Sequence, residues 1–589
     1  MNTALTKVSA VFFQEEFMEY AAIRHVADKS YCYALEKGHF LFRIQVKKGD
    51  IRRITMHYRD KNIPVKFHDT RKSVDMKLVA TDMCHDYFEA DIRFEVLNLR
   101  YYFELEDMDG KIVYYTNYIF SDVKTENIDQ MFNCPQELRE SDLFETPEWA
   151  NNKVVYQIFP SRFETSKNVD EETWYKAPIN YDDNLQGDLR GIIDHLEHLA
   201  DLGIDVLYMT PIFQADTCHK YDTIDYYKID PSFGTKEDLK ELVEKAHKMG
   251  MKVLFDAVFN HTGTNFFAFA DLLEKQENSK YKDWYYVEEF PLKWGWGEKP
   301  TFKTFAYFGG MPKLNLKNPE VQEYCLNVAK YWIHECDIDG WRLDVGDEVQ
   351  HDFWKRFRKE VKSVKKDALI VGEVWYYADD FLRGDEWDTV MNYPFYGAVM
   401  DLVAYGVITV SQFAERIGFL KGNLHKKTYP LMFNLIDSHD TPRFLHSAGN
   451  SYDKQKLAAA FQLLSPGMPM IYYGDEYGMP GAQDPDNRRG MYWDEKYQNK
   501  EMFAWYRKLI ALRKEHVCIC EGETSYFSTD DKNGILILTR ENQQEKVTLM
   551  FNCSKESRKM SQYAGMTNLI SEDIFEGTLN AYEMVILKA

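Results

Sequence analysis

From Val154 onward the chain repeats one pattern: a short apolar run that reads as a strand, then a segment whose apolar residues recur at helical spacing. The runs are VVYQIFP (154–160), VLYMTPI (206–212), KVLFDAVF (252–259), GWRLDV (340–345), ALIVGEVW (368–375), TVMNYP (389–394), LMFNLID (431–437) and MPMIYYGDE (468–476). Amphipathic segments such as LRGIIDHLEHLADLG, TKEDLKELVEKAHKMG and PEVQEYCLNVAKYWIHEC lie between most of them. Eight strands with intervening helices match a (β/α)8 barrel. An open doubly wound sheet is the competitor, but no glycine-rich phosphate loop follows the first strand. About 80 residues separate the third run from the fourth, so the barrel carries an inserted subdomain, including the aromatic stretch YKDWYYVEEFPLKWGWGEKPTFKTFAYFGG.

The 589 residues exceed what one core of about 250 to 300 residues accommodates, which predicts two to four domains. Before the barrel, short alternating runs at 39–46, 51–58, 87–94 and 99–107, separated by turn chemistry such as KKGD and MDGK, suggest an antiparallel sandwich. After the helix MFAWYRKLIALRKEH, runs such as GILILTR and KVTLMFN mark a second small β-domain. The expected division is a multidomain α/β chain. An amino-terminal sandwich spans 1–130, a barrel spans 131–510 with its insertion at about 260–318, and a carboxy-terminal sandwich spans 511–589.

With 72 Lys+Arg against 94 Asp+Glu the formal charge is −22, and the basic residues are dispersed among acids. Nucleic acid and anionic membrane surfaces are excluded as partners on that balance. Nine scattered cysteines read as reduced thiols, and the amino terminus MNTALTKVSAVFFQEEF lacks the apolar core of a signal peptide. No stretch approaches the ~20 apolar residues of a membrane span, so a cytoplasmic protein is expected. Aromatics reach 15% of the chain; most fit β cores, and some would suit sugar rings.

In a (β/α)8 barrel the reactive groups sit at the C-terminal ends of the strands. Three carboxylates fall there: Asp344 ends GWRLD, Glu373 lies in VGEVW, and Asp440 follows the seventh run in IDSHD. His261 in DAVFNH and His439 in DSHD join them. Any one Asp or Glu more often caps a helix or pairs with a cation. Five titratable groups at matching strand ends are harder to explain that way. Retaining glycoside hydrolysis needs a carboxylate nucleophile and a protonated carboxylic acid about 5 to 5.5 Å apart, and strand ends can supply them.

The blocks DAVFNH (256–261), GWRLDV (340–345), GEVW (372–375) and DSHD (437–440), in this order, resemble those of the α-amylase family of glycoside hydrolases. MPKLN (311–315) and the barrel opening TPEWANNKVVYQIFPSRF resemble the neopullulanase, cyclomaltodextrinase and maltogenic amylase branch, whose amino-terminal domain is of a starch-binding type. The resemblance covers nearly the whole chain. It implies that Asp344 is the nucleophile, Glu373 the general acid/base and Asp440 the third carboxylate, which binds and distorts the sugar. Arg342, two residues before the nucleophile, faces the same side of its strand, where its charge would keep Asp344 ionised while Glu373 is raised to hold a proton. His261 and His439 would hydrogen-bond sugar hydroxyls with the support of Asp256. His219 and Tyr221 in CHKYDT would meet the same sugar, Asp484 and Arg488 the next one, and Trp375 and Glu348 the acceptor side. The branch usually reads VANEV where this chain reads VGDEV, so Gly346 and Asp347 bear on acceptor preference.

The resemblance also bears on calcium. Asn260 survives from the usual site, but Glu348 stands where a partner histidine would be; in the alternative loop, RFETSKNVD sets Thr165 and Lys167 among the oxygens, leaving Asp188 as a ligand candidate. A lysine suits a hard-cation site poorly, so no metal or cofactor is expected to be required. The expected activity is endo-type cleavage of α-1,4-glucosidic bonds in maltooligosaccharides, cyclodextrins, pullulan or starch, with transglycosylation, by a homodimer formed through the amino-terminal domain. α-1,6-Glucosidases and sucrose isomerases usually show QPDLN in place of MPKLN. Non-catalytic carbohydrate-binding relatives typically lack one of the three carboxylates.

Overall fold

The structure is a computed structural model that describes residues 18–588 apart from 29–30, 65, 67, 95–97, 135–142 and 296. The amino-terminal stretch read for a leader, part of the acidic connection and Trp296 of the insertion lie outside the described residues. The chain divides into two compact units, Met1–Leu143 and Phe144–Ala589. No helix among the described residues is long and apolar enough to cross a membrane.

The first unit is a pair of antiparallel sheets. One orders Cys32–Glu36, His39–Lys47, His85–Arg93 and Lys77–Thr81; the other runs from Lys72–Asp75 through Ile51–Asp60, Leu99–Asp107 and Ile112–Tyr115 to Phe120–Ser121. Strand alternation puts Phe40, Phe42, Ile44 and Val46 of one sheet into a single core with Ile54, Met56, Tyr101, Phe103 and Leu105 of the other.

In the second unit eight parallel strands follow one another around a ring: β1 (Val155–Ile158), β2 (Val206–Met209), β3 (Lys252–Ala257), β4 (Gly340–Leu343), β5 (Leu369–Gly372), β6 (Thr389–Val390), β7 (Phe433–Asn434) and β8 (Met468–Tyr472). β8 pairs with β1 at Met470–Val155, and a parallel bridge from Met391 to Phe433 closes the ring between β6 and β7. These are the eight runs read from the sequence. Gly340 shows how tight the closure is. Its φ is +157°, and a Cβ there would lie 2.0 Å from the Leu369 carbonyl oxygen of β5, so any side chain would push the two strands apart.

The outer helices are specified locally. Helix Lys236–Lys248 starts with a capping box between Thr235 and Asp238 and buries Leu239, Leu242, Val243 and Ala246 on one stripe, with Lys245, His247 and Lys248 in its last turn. Inside the ring, side-chain parity decides the chemistry. Val155, Val206, Leu254, Leu369, Val371, Met391, Phe433 and Met470 form a core cluster distinct from the one between strands and helices. Two residues further along their strands, on the same side, come Gln157 after Val155, Tyr208 after Val206, Asp256 after Leu254 and Glu373 after Val371. The apolar plug therefore ends in a polar floor facing the C-terminal mouth.

After helix Lys500–Glu515 the chain forms a five-stranded antiparallel sheet, ordered Glu523–Asp530, Ile535–Glu541, Lys546–Asn552, Met584–Lys588 and Thr567–Asn568, beside a two-stranded ribbon. One face packs on the barrel helices, with Phe551 stacked 4.3 Å from Phe461; Ile535, Ile537 and Met550 fill a second core on the other.

Candidate active site

Arg342 organises the mouth of the barrel. It is fully buried, and one nitrogen, Nη1, donates to Asp256 Oδ1 and Oδ2, both at 3.0 Å, and to Asp344 Oδ1 at 2.9 Å; the other, Nη2, lies 2.8 Å from Glu373 Oε2. One planar cation thus fixes three carboxyl groups from β3, the end of β4 and the end of β5. Tyr208 donates to Asp256 Oδ2 at 2.7 Å, adding a second clamp on that floor residue.

Asp344 is held by one oxygen only. Its Oδ2 is buried and has no hydrogen-bond partner among the described residues. An orphaned carboxylate oxygen costs about 1 to 3 kcal/mol or more, and a hydrogen-bond donor brought into the mouth would offset that cost. Glu373 is held differently: Oε2 accepts from the Val345 amide at 2.9 Å and Oε1 from Trp375 Nε1 at 3.1 Å. Trp375 itself is half-exposed and stacks on Tyr393 with ring centres 4.0 Å apart, so one face of the indole is a platform at the rim.

A second chain of contacts comes from β1, the loop after β2 and the loops after β7 and β8. Gln157 Nε2 donates to His439 Nδ1 at 2.8 Å, which leaves the proton on Nε2, 2.5 Å from the Tyr221 hydroxyl and 3.2 Å from Asp440 Oδ2. Tyr221 in turn donates to Asp256 Oδ2 at 3.1 Å and lies parallel to the His439 ring. His219 Nδ1 accepts the Tyr221 amide at 3.1 Å. Arg488 donates to the His439 carbonyl at 2.8 Å, reaches Asp440 Oδ1 at 3.3 Å and pairs with Asp484 at 2.8 Å. His261, stacked on Phe305, presents a buried Nε2 with no partner among the described residues.

Protonation follows from the burial. Desolvation holds His439 well below the usual histidine range and lowers His219 and His261 to about 3, so all three are neutral hydrogen-bonding groups. The carboxyls move the other way. Burial raises Asp256 to about 6 and pushes Asp344, Glu373 and Asp440 upward, with Arg342 opposing each rise. Arg342 alone was expected to keep Asp344 ionised. The cluster is more crowded than that: Asp256, Asp344, Glu373, Asp440 and Asp484 surround two guanidinium groups, so the acids titrate as a linked set in which Arg342 opposes the rise of Asp344 without cancelling it.

The candidate calcium positions hold ammonium groups. Lys313 Nζ sits 2.5 Å from Asn260 Oδ1 and 2.6 Å from Glu348 Oε2, joining the two residues that the sequence set at the usual site. At the alternative loop Asp188 caps helix Leu189–Asp194 through the Gly191 amide, also accepts from Ser166 Oγ at 2.7 Å, and has Lys167 Nζ 4.0 Å away. A monovalent cation built into the chain occupies the oxygen cage in one case and crowds it in the other. Among the described residues no group of three or more His, Cys, Asp or Glu is arranged to hold a metal.

All the residues singled out in the sequence at the strand ends line this one mouth or its rim. Gln157, Tyr208 and Lys313 were not singled out as site residues. Gln157 was legible as the one polar residue inside VVYQIFP; Tyr208 reads as core in VLYMTPI; Lys313 served only as part of a signature.

Known proteins resemble this chain over most of its length. Residues 157–497 match the model of the α-amylase catalytic domain, and 18–136 match the Ig-like amino-terminal domain found with it. A cyclomaltodextrinase of Geobacillus thermopakistaniensis is 40% identical over 92% of this chain and 92% of its own; neopullulanase 2 of Thermoactinomyces vulgaris is 40% identical over 90% of each. A solved cyclomaltodextrinase structure superposes with a TM-score of 0.90 at 37% identity, covering 97% of this chain and all of that one. On the barrel, its carboxylate-lined mouth and these matches, the chain belongs to the α-amylase family of glycoside hydrolases.

Proposed function

We propose that this chain hydrolyses α-1,4-glucosidic bonds of cyclodextrins, maltooligosaccharides, pullulan or starch with retention of configuration, and transfers some glycosyl groups to sugars. The observation that carries the mechanism is the free Oδ2 of Asp344 beside a Glu373 anchored on the same arginine. Asp344 Oδ2 attacks the anomeric carbon while Glu373 gives its proton to the glycosidic oxygen, breaking the C–O bond and leaving a glycosyl ester on Asp344. Glu373, now a carboxylate, takes a proton from water or from a sugar hydroxyl, whose oxygen displaces Asp344 from the same carbon. Arg342 offsets the negative charge that moves between the two carboxyls.

Asp440 lies beside the neutral His439 and would grip the hydroxyls of the distorted sugar. Tyr221 would stack on that ring, His261, His219 and Asp256 would complete its hydrogen bonds, and Asp484 with Arg488 would take the next sugar. Trp375 and Glu348 would meet the departing or accepting sugar. The relatives named above support cyclodextrin and pullulan as substrates. Cytoplasmic location and a homodimer formed through the amino-terminal unit belong to the same reading; the first rests on nine unbridged cysteines.

Chromatography of the products from β-cyclodextrin, pullulan and starch at equal mass tests the substrate assignment. Fast opening of the cyclodextrin together with panose from pullulan is expected. Starch consumed while both other substrates stay intact would contradict it.

A further inference from the structure

We propose that the amino-terminal unit carries an anion site that takes the phosphoryl group of a phosphate monoester or free phosphate. The site is a recess of about 40 Å³ on the sheet that contains Ile51–Asp60 and Leu99–Asp107, lined by Arg59, Arg71, Lys72, Arg100 and Lys124 with Glu126 as its single carboxylate. Five cations against one anion stand out in a chain whose net charge is −22. The sheet register makes the arrangement costly. Arg59 and Arg100 stand directly opposite each other on antiparallel strands, where like charges repel. The next strand sets Lys72 opposite Tyr58, which brings Arg71, one residue earlier, into line with Arg59.

Arg71 is neutralised by Asp69 and Glu126. Among the described residues Arg59, Lys72, Arg100 and Lys124 form no ion pair. Arg59 is 8% exposed, yet its Nε has no hydrogen-bond partner, and the same holds for Arg100 Nε; their remaining bonds run to the carbonyls of Ile63 and Met131, each at 3.3 Å. Buried guanidinium N–H groups without acceptors are expensive, and an oxyanion supplies what they lack. The volume holds about three waters, the scale of one phosphoryl group. A dianion suits the surplus of positive charge better than a carboxylate does. A polyanion such as nucleic acid would meet the repulsion of the rest of the molecule.

The test is calorimetric titration of the full chain with inorganic phosphate, a hexose 6-phosphate and the unphosphorylated hexose. Saturable binding of the phosphates at one per chain is expected, with none of the free hexose at this site. Arg100→Gln and Lys124→Gln should each weaken it by about tenfold or more, the loss of one charge-assisted contact. Lys124 is exposed, so Lys124→Gln keeps its fold and its turnover of maltooligosaccharides even if Arg100→Gln is destabilised. Asp344→Asn should retain phosphate binding, which separates this site from the cleft. Tighter binding of the hexose phosphate would name a sugar ester as the ligand, and equal affinity would name free phosphate. No saturable binding of either phosphate, or unchanged affinity in Lys124→Gln and Arg100→Gln, would overturn the proposal.

Discussion

At the scale of single residues, the site turns on how two carboxyl groups share one guanidinium. Asp344→Asn should lower kcat by at least about 10³-fold, the order seen when a nucleophile is removed, while maltooligosaccharide binding stays measurable. Trp375 offers a subtler probe. Its indole N–H donates to Glu373 and favours the carboxylate, holding the pKa of Glu373 below where burial alone would set it. Glu373 must be protonated to act, so activity falls as pH rises through its pKa. Trp375→Phe removes the donor, raises that pKa and should move the alkaline limb of kcat/KM to higher pH; a limb that stays put or moves down would detach Trp375 from the acid. Residue types at strand ends were legible in the sequence because barrel geometry makes those positions special. The hydrogen-bond order through Gln157, His439, Tyr221 and Asp256 was not, since it links β1, β3 and two loops that only the closed ring brings together.

At the scale of elements, the strands read from the sequence as apolar runs because their faces are buried on both sides, inside the ring and under the helices. The insertion was visible as a gap in the repeat. Its role was not, because a bridge such as His261–Lys313 depends on pairing across some 50 residues. That bridge puts Lys313 between Asn260 and Glu348. Chelator treatment should therefore leave the thermal midpoint and activity unchanged, whereas Lys313→Ala should lower both by removing a cation from two buried or half-buried oxygens. A midpoint that falls on chelation would show a bound metal ion instead. Strand β5 makes a second prediction. A Cβ at Gly372 would lie 2.2 Å from the ring of Trp387, which is fully buried and stacked on Phe381 at 4.1 Å. Gly372→Ala should cost about 1 to 3 kcal/mol as overpacking, read as a lower unfolding midpoint, and should disturb Glu373 next to it.

At the scale of the whole molecule, a barrel whose mouth holds five acids and two buried arginines is joined to a sandwich with an apolar core of its own. The homodimer proposed above predicts a mass near twice 69.6 kDa by light scattering at micromolar concentration; a single species of 69.6 kDa would contradict it. The central claim is that Asp344 forms a covalent bond to the sugar. Trapping with an activated fluorinated maltosyl donor, followed by proteolysis and mass spectrometry, tests it most directly. The account predicts one glycosyl group per chain, on the peptide containing Asp344. A label on Glu373 or Asp440, or no label while the donor is turned over with inversion at the anomeric carbon, would contradict it.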